Sequence, residues 1–274
     1  MANPGPEMPP TVEIINTGNE LLDGRVLNTN GRWMARACSV RGLVVRRITI
    51  VGDELEDIKA AVEEALAREP DLLLITGGLG PTPDDMTARA IAEALGRGLV
   101  LSEEALAMVK RAYERLSLSF SPAAEKMAYL PEGATPLENP VGTAPGILTE
   151  HGRTRLIALP GVPEEMEAMF KEHVEPILAR LVKGLVHYEA YFLVHGVREA
   201  SMAKILEELR AKYPGVYVKT HPRAEGGRYY LVVYVATVAK SASEARKGLE
   251  AVITALADHV ASLGGSFLPY KPEE

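Results

Sequence analysis

The chain of 274 residues contains no glutamine, one cysteine, one tryptophan and four phenylalanines. A lone cysteine, Cys38, excludes an internal disulfide. With no Cys or His at metal spacing around it, Cys38 is expected to pack a helix in a reducing compartment. No apolar run approaches the roughly 18 residues that span a bilayer, so no membrane segment is expected. The opening "MANPGPEMPP" has neither a basic start nor an apolar stretch, so a signal peptide is not expected, and its four prolines read as a disordered tail over 1–10. A cytoplasmic location follows as an expectation. The missing glutamines lean towards a thermophilic source. Positive charge is in deficit: 30 Lys+Arg stand against 37 Asp+Glu, a net charge of -7. That argues against a general binder of nucleic acid or anionic membranes. The deficit lies in the first part, because residues 185–274 carry 11 basic and 10 acidic residues.

What is present is a repeated alternation. "TVEIINTG" (11–18), "LVVRRITIVG" (43–52) and "DLLLIT" (71–76) read as strands. Between them, 28–41 reads as a helix that Asn28 or Thr29 can cap and Gly42 ends. Residues 54–70 place Ile58, Ala61, Val62, Ala65 and Leu66 on one helical face, stopped by Pro70. A helix near 84–95 and a Ser102-capped helix follow. Residues 117–150 read as irregular and proline-rich. A strand at 154–161 and a helix at 163–181 close this part. Strands and helices at this spacing predict an α/β domain over 11–183, with a mostly parallel sheet between two helical layers. Past Lys183-Gly184 the order changes to strand, helix, strand, strand and helix, with "EGG" (225–227) as a hairpin turn. That order predicts a small α+β module over 185–274.

Open parallel sheets bind ligands beyond the carboxyl ends of their strands. Four loops are expected there: "TGNELLDGRVLNTN" (17–30), "VGDE" (51–54), "LLLITGGLGPTPDDMT" (72–87), and "NPVGTAPG" (139–146) helped by "PGVPEEM" (160–166). In the third loop Gly77, Gly78 and Gly80 strip side chains from a turn after a strand. Such a turn exposes backbone N–H groups to an anion. Asp84 and Asp85 then follow, although carboxylates repel anions. Two readings stay open. One aspartate can cap the next helix, or the pair can share a divalent cation with a bound phosphate. Asp53 carries the same two readings. Glu20 reaches the same crevice or stands as a solvated loop carboxylate, and Lys126, Asn139 and Thr143 are either ligand contacts or ordinary loop residues.

Taken together, "TGNELLDGRVLNTN", "VGDE", "TGGLGPTPDDMT", "KMAYLPEGATPLENPVGTAPG" and "LPGVPEEM" resemble the CinA family, whose N-terminal domain belongs to the molybdopterin-binding, MoaB/MogA-like superfamily. Residues 187–263 resemble the KH-like module of CinA proteins. The resemblance implies a three-layer α/β/α domain. It implies metal-dependent hydrolysis of the diphosphate of ADP-ribose, with Mg²⁺, Mn²⁺ or Co²⁺, or alternatively binding and adenylylation of molybdopterin. A non-catalytic nucleotide binder is a third reading. The resemblance carries catalytic roles onto Asp85, Asp53 and Glu20, with Asp84, Asp85 and Asp53 as metal ligands. Substrate contacts are expected at Gly18, Asn19, Gly77, Gly78, Leu79, Gly80, Thr82, Lys126, Asn139, Gly142, Thr143, Pro160 and Gly161. No nicotinamide-nucleotide amidase domain, and so no deamidase activity, is expected. The second module has no GxxG loop, the element by which KH domains clamp a nucleic-acid backbone. The expected partners are a nucleotide or pterin and a second copy of the chain in a homo-oligomer, a dimer, with no nucleic acid and no membrane.

Overall fold

The computed structural model describes residues 9–272. The expected tail therefore lies outside the described residues up to residue 8. Pro10 already belongs to the fold: it is buried, and its carbonyl accepts from the Val44 N–H at 2.9 Å. The chain divides into two compact units, Met1–Val182 and Lys183–Glu274.

The first unit begins with β1 (Thr11–Thr17), a one-turn helix α1 (Asn19–Leu22), α2 (Thr29–Ser39) and β2 (Val44–Val51). Asn28 caps α2, its Oδ1 accepting from the Gly31 N–H at 2.8 Å. This satisfies a donor that the first helical turn leaves orphaned. Then come α3 (Leu55–Ala67), β3 (Leu72–Thr76), α4 (Thr87–Ala94), β4 (Leu99–Leu101) and α5 (Glu103–Arg115). Ser102 caps α5 through the Ala105 N–H at 3.2 Å.

The segment expected to be irregular holds several short elements. They are α6 (Pro122–Glu125), a 3-10 turn (Lys126–Ala128), β5 (Tyr129–Pro131), β6 (Thr135–Leu137) and most of β7 (Gly146–His151). Three-residue strands interrupted by prolines carry too little periodicity to be read locally. After β8 (Thr154–Leu159), α7 (Pro163–Met169), a π turn (Phe170–Val174) and α8 (Glu175–Leu181) run on as one helix. Pro176 has no N–H to donate into that helix, and the Glu175 N–H just before it reaches five residues back to the Phe170 carbonyl.

One six-stranded sheet runs β2-β1-β3-β8-β7-β6. The first four strands are parallel, and β7 and β6 are antiparallel additions. Successive side chains of β3 point to opposite faces. Leu73 and Ile75 enter a core with Ile58, Val62 and Ile91, while Leu72 and Leu74 enter another with Met34, Met166 and Phe170. Helices thus cover both faces, which is the expected mostly parallel α/β architecture. Cys38 lies in the second core, where burial pushes its thiol up to about 12 and leaves it unreactive.

The second unit is β9 (Val186–His195), α9 (Glu199–Lys212), β10 (Val216–Glu225), β11 (Arg228–Ala239), α10 (Ala242–Ser262) and β12 (Ser266–Tyr270). Gly226 and Gly227 make the two-residue hairpin turn with φ of 56° and 75°, as a type I′ turn requires. The sheet order β10-β11-β9-β12 is antiparallel throughout. The β-α-β-β-α-β order is the ferredoxin-like arrangement. The sequence reading lacked β12, whose five residues include Pro269. It was this fourth strand that the KH-like expectation missed. Among the described residues no helix is long and apolar enough to cross a membrane.

Asp71 ties together the amino-terminal ends of the central strands. Its Oδ2 accepts from the Thr11 N–H at 2.7 Å and the Thr11 hydroxyl at 3.0 Å, and its Oδ1 pairs with Arg153. Partial burial would raise this carboxyl, but the Thr11 N–H, Arg153 and the Thr11 hydroxyl outweigh it and hold it below the usual carboxylate range. A depressed folded-state value stabilises the protein above the unfolded value, about pH 3.9, and that stability is lost as pH falls through the folded value. Asp71→Asn is therefore expected to cost about 1 kcal/mol near neutral pH. In denaturant titrations the gap from wild type should persist down to about pH 4 and close below it.

Candidate functional site

The strand order β2-β1-β3 makes the crevice between β1 and β3 a topological switch point. Chain exits from four parallel strands meet beside it. The Gly18 N–H, leaving β1, bonds the Val51 carbonyl of β2 at 3.0 Å, and the Gly77 N–H, leaving β3, bonds the Leu159 carbonyl of β8 at 3.0 Å.

Space at this junction is what demands glycine. Gly77 has φ of 103°, and a Cβ there would lie 2.6 Å from the Thr17 carbonyl oxygen. Gly78 has φ of 65°, and its Cβ would lie 2.4 Å from Thr87 Oγ1. That hydroxyl donates to the Gly77 carbonyl at 2.8 Å, and the Thr87 N–H bonds the Gly78 carbonyl at 3.1 Å. The glycine loop is thereby pinned between the end of β1 and the start of α4. Gly161 approaches from β8, where a Cβ would come within 3.3 Å of Gly77 Cα. Pro160 and Gly161 are held by Thr76, whose hydroxyl donates to the Pro160 carbonyl at 2.8 Å, and by Asn30, whose Nδ2 donates to the Gly161 carbonyl at 2.8 Å.

Beyond the glycines the chain makes a tight turn. The Thr82 N–H and hydroxyl donate to Asp85 Oδ2 at 2.8 and 2.7 Å. The carboxylate lies against Gly80, 2.7 Å from where a Cβ would stand. Lys126 Nζ donates to the Thr82 carbonyl and, at 3.5 Å, to the Pro83 carbonyl. Asp84 is exposed on the same turn.

The capping readings fail. Helix α4 starts at Thr87, and its N-cap, Met86, has no capping side chain. The turn closed by Asp85 ends before the helix begins, so neither aspartate is a cap. Glu54, not Asp53, precedes α3, and it too makes no capping bond. Asp53 instead reaches across to the first loop. Its Oδ2 accepts from the Asn19 N–H at 2.9 Å, and its own N–H donates to Asn19 Oδ1 at 3.4 Å.

A cavity of about 230 Å³ opens beside the glycine loop. Gly78, Leu79, Gly80, Asp85 and Lys126 form one wall, and Met86, Tyr129, Leu130 and Ile147 form an apolar one. Thr143 stands behind this cavity, its hydroxyl 4.0 Å from the sulfur of Met127, another lining residue. Glu20 folds over Gly18, with Oε1 2.5 Å from the place of a Cβ.

Two expected contacts prove to be scaffold. Asn139 is buried and fully used. Its Nδ2 donates to the Ala144 carbonyl and Glu165 Oε2, and its Oδ1 accepts from the Val141 and Gly142 N–H groups. Gly142 lies beneath the Glu165 carboxylate, so no ligand reaches it.

Among the described residues no three His, Cys, Asp or Glu side chains gather as a metal group. Asp53, Asp84 and Asp85 are thus not a ready-made cage. Their hard oxygens still suit a Mg²⁺-like ion that takes its other ligands from phosphate and water. Asp85 and Asp53 each spend only Oδ2 within the described residues. Thr76, Thr87, Asn16 and Asn30 were missed. Asn16 and Asn30 hold buried Oδ1 atoms with no protein partner. An asparagine inside the apolar run of β1 was the available signal for Asn16.

Residues 13–180 match the family described as "Probable molybdopterin binding domain". A protein from Pyrobaculum aerophilum is 45% identical over 251 residues, covering 91% of this chain and 92% of that protein. A protein from Aeropyrum pernix is 43% identical over 258 residues, covering 94% and 96%. The crystal structure of the protein CinA, of unknown function, from Thermoplasma acidophilum is 42% identical. It covers 61% of this chain and 98% of that one, with a TM-score of 0.57.

The glycine loop can be tested for geometry alone. Gly77→Ala sets a Cβ against a backbone carbonyl that cannot swing away, at a positive φ. It is expected to destabilise the protein by about 2 kcal/mol or more in thermal melts. Gly24→Ala, also at positive φ but with open space around it, should cost only about 1 kcal/mol. Equal costs would mean that the approach of Thr17 to Gly77 imposes nothing.

Proposed function

This chain belongs to the molybdopterin binding domain family, and we propose that its first unit hydrolyses the diphosphate of ADP-ribose, or of a closely related nucleotide, with a divalent metal. One observation carries the reading: a carboxylate, Asp85, is folded into the glycine turn beside Lys126 at the mouth of a cavity. A simple anion site would exclude that carboxylate, whereas a metal–diphosphate site uses it.

In this reading the Gly77–Gly80 backbone receives the diphosphate, because no side chain bars the approach. Lys126 turns from the Thr82 and Pro83 carbonyls to neutralise phosphate charge. The apolar wall of Met86, Tyr129, Leu130 and Ile147 takes the flat base. Asp85, Asp53 and the exposed Asp84 are the residues that would hold Mg²⁺, Mn²⁺ or Co²⁺. When bound, the metal supplies Lewis acidity and a more acidic water. Glu20, over Gly18 on the same crevice, is the carboxylate that accepts the proton of the attacking water. Water oxygen bonds to phosphorus, the P–O bond to the other phosphate breaks, and AMP and ribose 5-phosphate leave. Thr82 fixes Asp85 and Asn19 fixes Asp53, so both carboxylates are aimed before substrate arrives.

A second reading takes up the family description: the site binds molybdopterin, with the apolar wall taking the pterin ring, and in the fuller form of this reading adenylylates it. Incubation with ADP-ribose and metal, and separately with molybdopterin, ATP and metal, separates the two by product. A thermal shift on nucleotide without turnover under any of the three metals would mark a non-catalytic binder.

Asp85→Asn keeps an oxygen for the Thr82 bonds and removes the charge. It is expected to melt within about 4 °C of wild type. AMP release from ADP-ribose should fall at least about 100-fold, equivalent to ~2.7 kcal/mol of barrier. Release within a few-fold of wild type, followed by chromatography, would remove Asp85 from the chemistry.

A further inference from the structure

The sheet of the second unit has two faces of different character. Phe192, Val194, Leu231, Val233 and Val235 point into a core with α10 residues Val252 and Leu256. The alternate residues of the same strands point the other way, and strand register sets them in rows, of which three form the middle of the face. Tyr270, Tyr191, Tyr234 and Lys219 lie side by side. Leu268, Leu193, Val232 and His221 form the next row. Ser266, His195, Tyr230 and Arg223 form the third. None of these twelve residues is buried. The rings touch: the Tyr191 and Tyr234 centroids are 4.8 Å apart, and those of His195 and Tyr230 5.7 Å.

We propose that this face binds single-stranded RNA, with bases stacked on the Tyr191–Tyr234 and His195–Tyr230 pairs and the backbone passing along Lys219, His221 and Arg223 of edge strand β10. The charge placement argues for a polyanion. Each of these three rows ends in a basic or titratable nitrogen on β10, and the carboxylates of this face, Glu189 and Glu225, stand in the rows that flank them. The two carboxylates nearest the rings are held by tyrosine hydroxyls at opposite ends of the face. Tyr234 donates to Glu189 at 3.0 Å and Tyr230 donates to Glu225 at 3.2 Å.

The rings argue for unpaired bases. Stacking on an aromatic side chain needs an exposed π-face, which a duplex hides. Ser266, His195 and Tyr230 set polar groups beside the stacking rings, where a 2′-hydroxyl finds both donor and acceptor. Pro222 and Pro269 interrupt the two edge strands, which disfavours pairing with a further strand and leaves the face as the surface to use. The sequence expectation of no nucleic-acid partner rested on balanced overall charge and a missing GxxG loop. Neither bears on a face that only strand register assembles.

The test is fluorescence anisotropy of the full chain with a labelled, unstructured RNA of about 12 nucleotides at about 0.15 M salt. Saturable binding is expected, with single-stranded DNA weaker and duplex RNA unbound. Tyr234→Ala should weaken binding about tenfold or more, and Tyr234→Phe should retain it. Tyr230→Ala provides a second variant should Tyr234→Ala alter the melting temperature. Joint Lys219→Glu and Arg223→Glu substitution should reduce the slope of log affinity against log salt by about 1–2. No saturable binding at this salt, or wild-type affinity in both alanine variants, overturns the proposal. Equal affinity for DNA overturns the assignment to RNA. A dimer in sedimentation that Tyr234→Ala dissociates, without RNA binding, assigns the face to a second copy instead.

Discussion

Burial of β3 on both faces is the constraint from which the first unit follows. Its four apolar side chains divide between two cores, and each contributes about 1.5–3 kcal/mol by leaving water. A strand enclosed in this way releases its chain only at its ends. At the carboxyl end the exit is narrow, because β1 ends alongside it and Thr17 presents a carbonyl where a Cβ would have to go. Glycine is the residue that passes. The bare backbone that could receive an anion is therefore the same backbone that the close approach of two strands requires.

The carboxylates beside that backbone are arranged by hydrogen bonds rather than by helix capping. Thr82 turns Asp85 towards Gly80, and Asn19 holds Asp53 on a different loop. Each bond occupies one carboxylate oxygen and orients the other. A separate set of residues gives the site rigid walls. Asn139, Glu165 and Arg115 lock the 139–144 loop, Arg115 donating to the Asn139 and Gly142 carbonyls. Asn30 and Thr76 hold the exit from β8 against the glycine loop. Shape and charge at the crevice thus depend on polar side chains that make no use of the apolar pattern.

The second unit solves a different packing problem. Its antiparallel sheet needs helices on one face only, and α9 and α10 supply them. The opposite face remains half-exposed and collects tyrosines, because β-propensity favours aromatics on a pleated surface while burial claims the aliphatic residues. The unit's balanced overall charge says nothing of this arrangement, in which Lys219 and Arg223 stand on one edge strand of that face.

Local patterns in the sequence were enough to determine the helices and the long strands. The stripe of Ile58, Val62, Ala65 and Leu66, the caps at Asn28 and Ser102, the Gly226–Gly227 turn and the apolar run of β3 each depend on residues a few positions apart. Local physics of that kind survives in any context. The glycine loop and its aspartates were legible as a candidate site for the same reason. The partners of those aspartates were not. Nothing near Asp53 in the chain points to Asn19, and nothing near Asn139 marks Glu165 as the carboxylate that closes its loop. The short strands within 117–150 and β12 were hidden because three to five residues broken by proline carry no period. They become strands only when a neighbour offers a ladder of hydrogen bonds. The rows on the second sheet exist through register between four strands, with partners up to 79 residues apart, as Tyr191 and Tyr270 are. Which segments fold locally, and where bare backbone falls, is settled by residues a few positions apart. Tertiary structure alone decided which distant side chains share a face, because that depends on strand pairing, which no local preference encodes.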